Sequence, residues 1–172
     1  MRFGGLEPTG LLPRKINFPL IKGELKNKLK VIVSGDTQPY SNAEVGYVRD
    51  TLANEVAAIG TDDIEAIIVE GDVMGDDLSL YPRFKKILSV ADTPQYYVAG
   101  NHDLDFDAPS DKHSFDTFKR DFGPTYYSFD IDLVQFVVLD NLRYPCLKEV
   151  MTFEIMSERP NPFTANELFV FE

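Results

Sequence analysis

The sequence predicts an α/β fold built on a largely parallel sheet. Three observations point there. Short apolar runs rich in β-branched residues recur at "LKVIVSGD", "IEAIIVEGD" and "QYYVAG". Segments with helical spacing separate them, as βαβ units require. Each run also stops at a glycine followed by polar or charged residues, which is how strands end at the ligand-binding edge of an open sheet.

Taken in order, residues 1–28 hold four glycines and three prolines and show no helical period. They read as a linker or the tail of an upstream element, with "INFPLI" as a short strand. Residues 29–172 read as the domain proper. "LKVIVSGD" (29–36) opens it, and continuous apolar runs of this kind mark strands covered on both faces. In 41–60, Val45, Val48, Leu52, Val56 and Ile59 form one helical stripe. Ser41 with Glu44 makes a capping-box start, and Gly60 makes a stop. "IEAIIVEGD" (64–72) is a second buried strand. "LSLYPRFKKILSV" (78–90) is a helix with Pro82 in its first turn, "QYYVAG" (95–100) is a third strand, and "SFDTFKRDFG" (114–123) is a short helix. "TYYSFDID" (125–132) and "LVQFVVLDN" (133–141) read as paired strands, and "PFTANELFVFE" as the beginning of a further helix.

The 172 residues suffice for one domain with its own core. A net charge of −11 argues against a nucleic-acid surface, which needs clustered Lys and Arg. No apolar run reaches the ~18–20 residues of a membrane-spanning helix. The N-terminus lacks the apolar core of a signal peptide, which implies a cytoplasmic protein, or an exported one whose true start lies upstream. The single cysteine, Cys146, excludes an internal disulfide and reads as a packing residue. Oligomeric state is not legible.

The chemistry concentrates at the three strand ends, "VSGDTQ", "VEGDVMGDD" and "VAGNHD". Their tails converge on one crevice if the strands are parallel, bringing together Asp36, Gln38, Asp72, Asn101, His102 and Asp103. Hard oxygen donors with an imidazole suit Mn, Mg, Fe or Zn. Such groups can hold two divalent ions that clamp the attacking and leaving oxygens of a phosphoryl displacement. His102, supported by Asp103, is placed to steady the transition state or protonate the leaving oxygen.

The order D-x-Q, GD, GNHD resembles the calcineurin-like metallophosphoesterases over roughly residues 28–142. That resemblance implies a two-sheet sandwich flanked by helices and a phosphate-ester substrate, hydrolysed by hydroxide on a binuclear centre. It implies that Asp36 binds the first metal, Asp72 bridges both and Asn101 binds the second. His102 becomes the acid or transition-state group, and Gln38 stands where the family usually carries histidine. The family completes its site with a lone His and a G-H-x-H from later motifs. This chain has only His102 and His113, so it reads as the N-terminal part of a longer enzyme. The rival reading is a catalytically silent module that keeps the fold.

Bland readings cover the remaining candidates. Asp76 and Asp77 read as a solvated acidic turn, Asp105 and Asp107 as exposed, and His113 as a surface histidine. A calcium loop over 103–114 fails, because Ala108 and Ser114 stand where Gly and a bidentate Glu are required. Asp140 and Asn141 cap a turn. Tyr96, Tyr97, Tyr126, Tyr127 and Phe129 read as core and sheet-face residues.

Overall fold

The structure, a computed structural model, describes residues 28–60, 64–143 and 168–171, with Leu11, Arg14, Lys15 and Asn17 singly. The proposed strand "INFPLI" and Cys146 lie outside the described residues. Two three-stranded sheets form the frame, and the fold is α/β. The first is parallel, in the order β1 (Val31–Gly35), β2 (Ala66–Glu70), β3 (Gln95–Val98). The second is antiparallel, in the order β4 (Tyr127–Ile131), β5 (Val134–Val138), β6 (Leu168–Phe171).

Side chains alternate across the parallel sheet, so each face has its own core. Ile67, Val69 and Tyr97 face the helices and pack with Val45, Val56, Tyr81, Phe84, Leu88 and Phe118. Ile68 and Val98 face the second sheet and pack with Phe136 and Val138, flanked by Tyr96, Tyr127 and Phe129. The Tyr96 and Phe129 rings lie parallel with centroids 3.5 Å apart. Tyr127 Oη donates to the Tyr97 carbonyl at 2.9 Å, a polar tie between the sheets.

The continuous apolar run of β2 is explained by burial on both faces. In β1 the same kind of run gives a different result. As an edge strand it leaves Val33 52 % exposed, which corrects the expectation of cover on both sides. The helical stretch after β1 is α1 (Asn42–Val48), a π-helical turn (Arg49–Ala53) and α2 (Asn54–Ile59). Ser41 Oγ accepts from Glu44 N–H at 3.3 Å as its cap. The Glu44 carboxylate reaches back one residue beyond the cap, taking the Tyr40 N–H at 2.7 Å. Ile59, at the end of the stripe, is exposed.

α3 (Tyr81–Leu88) carries Pro82 in its first turn, and α4 (Asp116–Phe122) ends at Gly123 with φ 102°. Tyr126 corrects the sheet-face reading, since it is 71 % exposed just before β4. The C-terminal stretch also differs from expectation. Leu168–Phe171 is a strand paired with β5, because an apolar, aromatic run fits a sheet edge better than an isolated helical turn. The rest of that proposed helix lies outside the described residues. Among the described residues no helix is long and apolar enough to cross a membrane.

Candidate metal and phosphoester site

The parallel register sets the site. Gly35 pairs with Glu70, and Glu70 with Val98, so all three strands finish level. The chain then leaves each strand on the same edge of the sheet. The backbone ladder continues a step further, with Asp36 N–H on the Glu70 carbonyl at 3.4 Å and Gly71 N–H on the Val98 carbonyl at 3.2 Å. Gln38 N–H reaches the Asp72 carbonyl at 2.9 Å. A cavity of about 240 Å³ opens here, lined by Gly35, Asp36, Glu70, Gly71, Asp72, Gly100, Asn101 and Leu142.

The turns that aim these side chains are unusual. Asp36, Gln38 and Asp72 all adopt left-handed backbone, with φ of 47°, 39° and 42°. Asp tolerates that region better than most residues, yet it still carries strain, and strain of this kind gathers at functional sites. Gly100 is obligatory: a Cβ there would fall 2.0 Å from Asp72 N and 2.1 Å from Asp72 Oδ1. The GNHD and GD turns therefore interlock backbone to backbone.

Asp72 sits half-buried at the centre. Burial holds its carboxyl above the ordinary value, the His102 N–H at 2.9 Å pulls it down, and the neighbouring Asp36 carboxylate raises it. Two carboxylates pressed together in this way favour a cation between them.

The structure brings Asp36, Asp72 and Asn101 to one cavity. Gln38 stands outside its lining and donates from Nε2 to Tyr40 Oη at 3.2 Å. Asp103 is corrected. It does not support the His102 ring, because both its oxygens are spent elsewhere. Oδ1 accepts from Met74 N–H at 3.1 Å and Tyr81 Oη at 2.8 Å, and Oδ2 from Val73 N–H at 3.0 Å and Gly100 N–H at 2.9 Å. Asp103 is fully buried, and burial pushes its carboxyl up to about 7 against the pull of those four donors. It fastens the loop after β2 to the loop after β3.

The His102 partner is Asp76, whose Oδ1 lies 2.7 Å from Nδ1. Asp76 is therefore more than a solvated turn residue, and its φ of 73° bends the acidic loop back toward the histidine. The acidic run "GDVMGDD" carried the signal, but nothing in it distinguished Asp76 from Asp77, which caps the following turn through Ser79 N–H at 3.1 Å. Asp105 is also corrected from exposed to buried: it accepts from Thr117 N–H and Thr117 Oγ1 at 2.8 and 2.5 Å and so caps α4. Asp107 is exposed, and Asp140 caps its turn at Leu142 N–H.

The donors at the cavity include the Asp36 and Asp72 carboxylates and the Asn101 amide oxygen, all hard ligands, with Glu70 also in the lining. They fit part of the shell of a hard divalent ion. Among the described residues no group of three His, Cys, Asp or Glu stands together to hold a metal.

Residues 29–169 match the family model of the calcineurin-like phosphoesterases, and the chain belongs to that family. The family generally uses a binuclear divalent metal centre. No curated protein matches the chain. Among two matching solved chains is a purple acid phosphatase, PPD1 from yellow lupin (Lupinus luteus) seeds, at 15 % identity and a TM-score of 0.43. That match takes in 59 % of this chain and 22 % of the lupin chain.

Proposed function

We propose that residues 29–172 carry a metal-dependent phosphoesterase site for a phosphomonoester or phosphodiester, with residues 1–28 a linker or the tail of an upstream element. One observation carries the reading: three parallel strands that finish in register deliver Asp36, Asp72 and Asn101 to a single cavity. Asp72, central and beside Asp36, would be the shared ligand of the metal site. Asp36 and Asn101 would each hold an ion beside it, and Gln38 would add its amide oxygen while its Nε2 stays on Tyr40 Oη. Bound divalent ions would supply Lewis acidity and lower the pKa of a water molecule toward neutrality.

The chain's own groups do the rest. Asp76 Oδ1 accepts a hydrogen bond from the His102 Nδ1–H, which fixes the ring, and the Nε2–H gives its proton to the leaving oxygen, leaving a neutral imidazole that keeps its Nδ1 proton. Asp103 keeps the Val73–Met74 and Gly100 backbone in place, so that Asp72 and Asn101 stay at their spacing.

A second reading, a catalytically silent module, has one observation in its favour: no trio of His, Cys, Asp or Glu stands together among the described residues. Manganese and iron stoichiometry separates the two. Two ions per chain, falling sharply in Asp72→Asn, with hydrolysis of p-nitrophenyl phosphate, supports the enzyme. One weak ion or none, with no hydrolysis, supports the silent module.

A further inference from the structure

Tyr40 stands at the rim of the site with no part in the reaction above. Its ring lies against Gly75, where an added Cβ would fall 2.6 Å from Cγ and Cδ1. The His102 imidazole meets it edge-on, with centroids 6.1 Å apart and planes at 78°. Its hydroxyl accepts from Gln38 Nε2 at 3.2 Å, and its backbone N–H is held by Glu44 at 2.7 Å. The preceding Pro39 carbonyl accepts from Gly75 N–H at 3.0 Å, which ties the two loops together. Despite these restraints Tyr40 is 52 % exposed.

A tyrosine used only for packing would bury its ring and leave its hydroxyl wet. Here the hydroxyl is bonded, one side of the ring is seated on the Gly75 loop, and half of the residue's surface stays open. Such a ring is held in place before any ligand arrives, so little further entropy is lost when something stacks on it. His102 is the group assigned to the leaving oxygen, and its ring stands beside Tyr40, so a ring carried by that oxygen comes within reach of Tyr40.

We infer that Tyr40 is a specificity-determining residue that stacks on a flat ring borne by the leaving oxygen, so that the site favours aryl phosphate esters over alkyl ones. This rests on the phosphoesterase reading and adds a substrate class to it. Recognition comes from offset stacking, which a saturated ring of similar size cannot reproduce.

The test is calorimetric titration of the manganese-loaded full chain with methylphosphonate, cyclohexylphosphonate and phenylphosphonate, none of which can be hydrolysed at an ester bond. Phenylphosphonate is expected to bind roughly fivefold to tenfold tighter than cyclohexylphosphonate. In Tyr40→Leu that ratio falls to near one, and in Tyr40→Phe it persists. Equal binding of the two ring compounds by the wild type, or a preference that survives Tyr40→Leu, overturns the inference. A purely structural Tyr40 would weaken all three compounds alike in Tyr40→Leu and keep the ratio, which also overturns it. If manganese binds and the phosphonates bind without discrimination, only the Tyr40 assignment falls. If neither manganese nor any phosphonate binds, the phosphoesterase reading fails and takes this one with it.

Discussion

The loops after β2 and β3 are held very differently from the loop after β1. The first two are knotted by a fully buried carboxylate, Asp103, with four donors on it, and by the contact of Gly100 with Asp72. On the loop after β1, Asp36 and Tyr40 are exposed. This loop is fastened by the Gln38–Asp72 and Pro39–Gly75 backbone bonds and by Thr37 Oγ1 on the Val73 carbonyl at 3.1 Å. One side of the site is thus assembled as part of the core, and the other is added onto it. Residues on the core side should matter to folding and function together, and residues on the added side to function alone.

The largest expected effect is that of Gly100→Ala. Its Cβ has no room beside Asp72 N, and backbone cannot move aside as a flexible side chain can. A loss of about 4 kcal/mol or more is expected, enough to leave little folded protein. A urea midpoint within error of wild type would break the interlock described for the two turns.

Asp103→Ala comes next. It leaves three buried N–H groups and the Tyr81 hydroxyl without an acceptor, at a cost of roughly 3 kcal/mol. Denaturant unfolding measures it, and a loss below ~1 kcal/mol would mean that the knot is not a structural one.

A smaller effect belongs to the tie between the sheets. Tyr127→Phe should cost about 1 kcal/mol, the usual worth of one hydrogen bond. Burial raises the Tyr127 phenol to about 12, so the folded state favours the protonated form. Its contribution is therefore complete below about pH 10, the ordinary value of tyrosine, and is lost as pH rises through about 12. Thermal midpoints of wild type and Tyr127→Phe should converge over that interval.

The smallest change in stability is expected at the exposed Asp36. Asp36→Ala should shift stability by no more than ~0.5 kcal/mol while lowering manganese stoichiometry, read by calorimetry. If it destabilised the fold as much as Asp103→Ala, the contrast between the two sides would disappear.

The contrast also explains what the sequence revealed. Strand positions were legible because each parallel strand is a short apolar run cut off by glycine, and parallel strands must send their ends to one edge. Asp36, Asp72 and Asn101 are among the residues this places at that edge, and the family resemblance is what singles them out as ligands. What stayed hidden depends on contacts distant along the chain. Asp103 follows His102 directly and so reads as its support, yet its four donors come from the loop after β2, from α3 and from its own turn. Asp105 looks solvated because its partner, Thr117, lies in the next helix. Asp76 cannot be told from Asp77 until the acidic loop is folded back on His102. β1 carries the same apolar signature as β2, and position at a sheet edge is a property of topology that no local window contains. The strand Leu168–Phe171 was masked by the helix-favouring residues before it, and its pairing with β5 outweighs them.

Because the three strands end level, the sheet works as a ruler for the site, with consequences for how such a chain tolerates length change. Inserting one residue within β2 would carry Asp72 about 3.3 Å outward and turn it to the opposite face. An insertion in the Asp92–Pro94 connection, which enters β3 from the far edge, would move nothing at the cavity. Lineages of this chain should therefore gather their insertions and deletions on one rim of the sheet and hold their length on the other. That asymmetry would mark the site in an alignment even where its residues had changed.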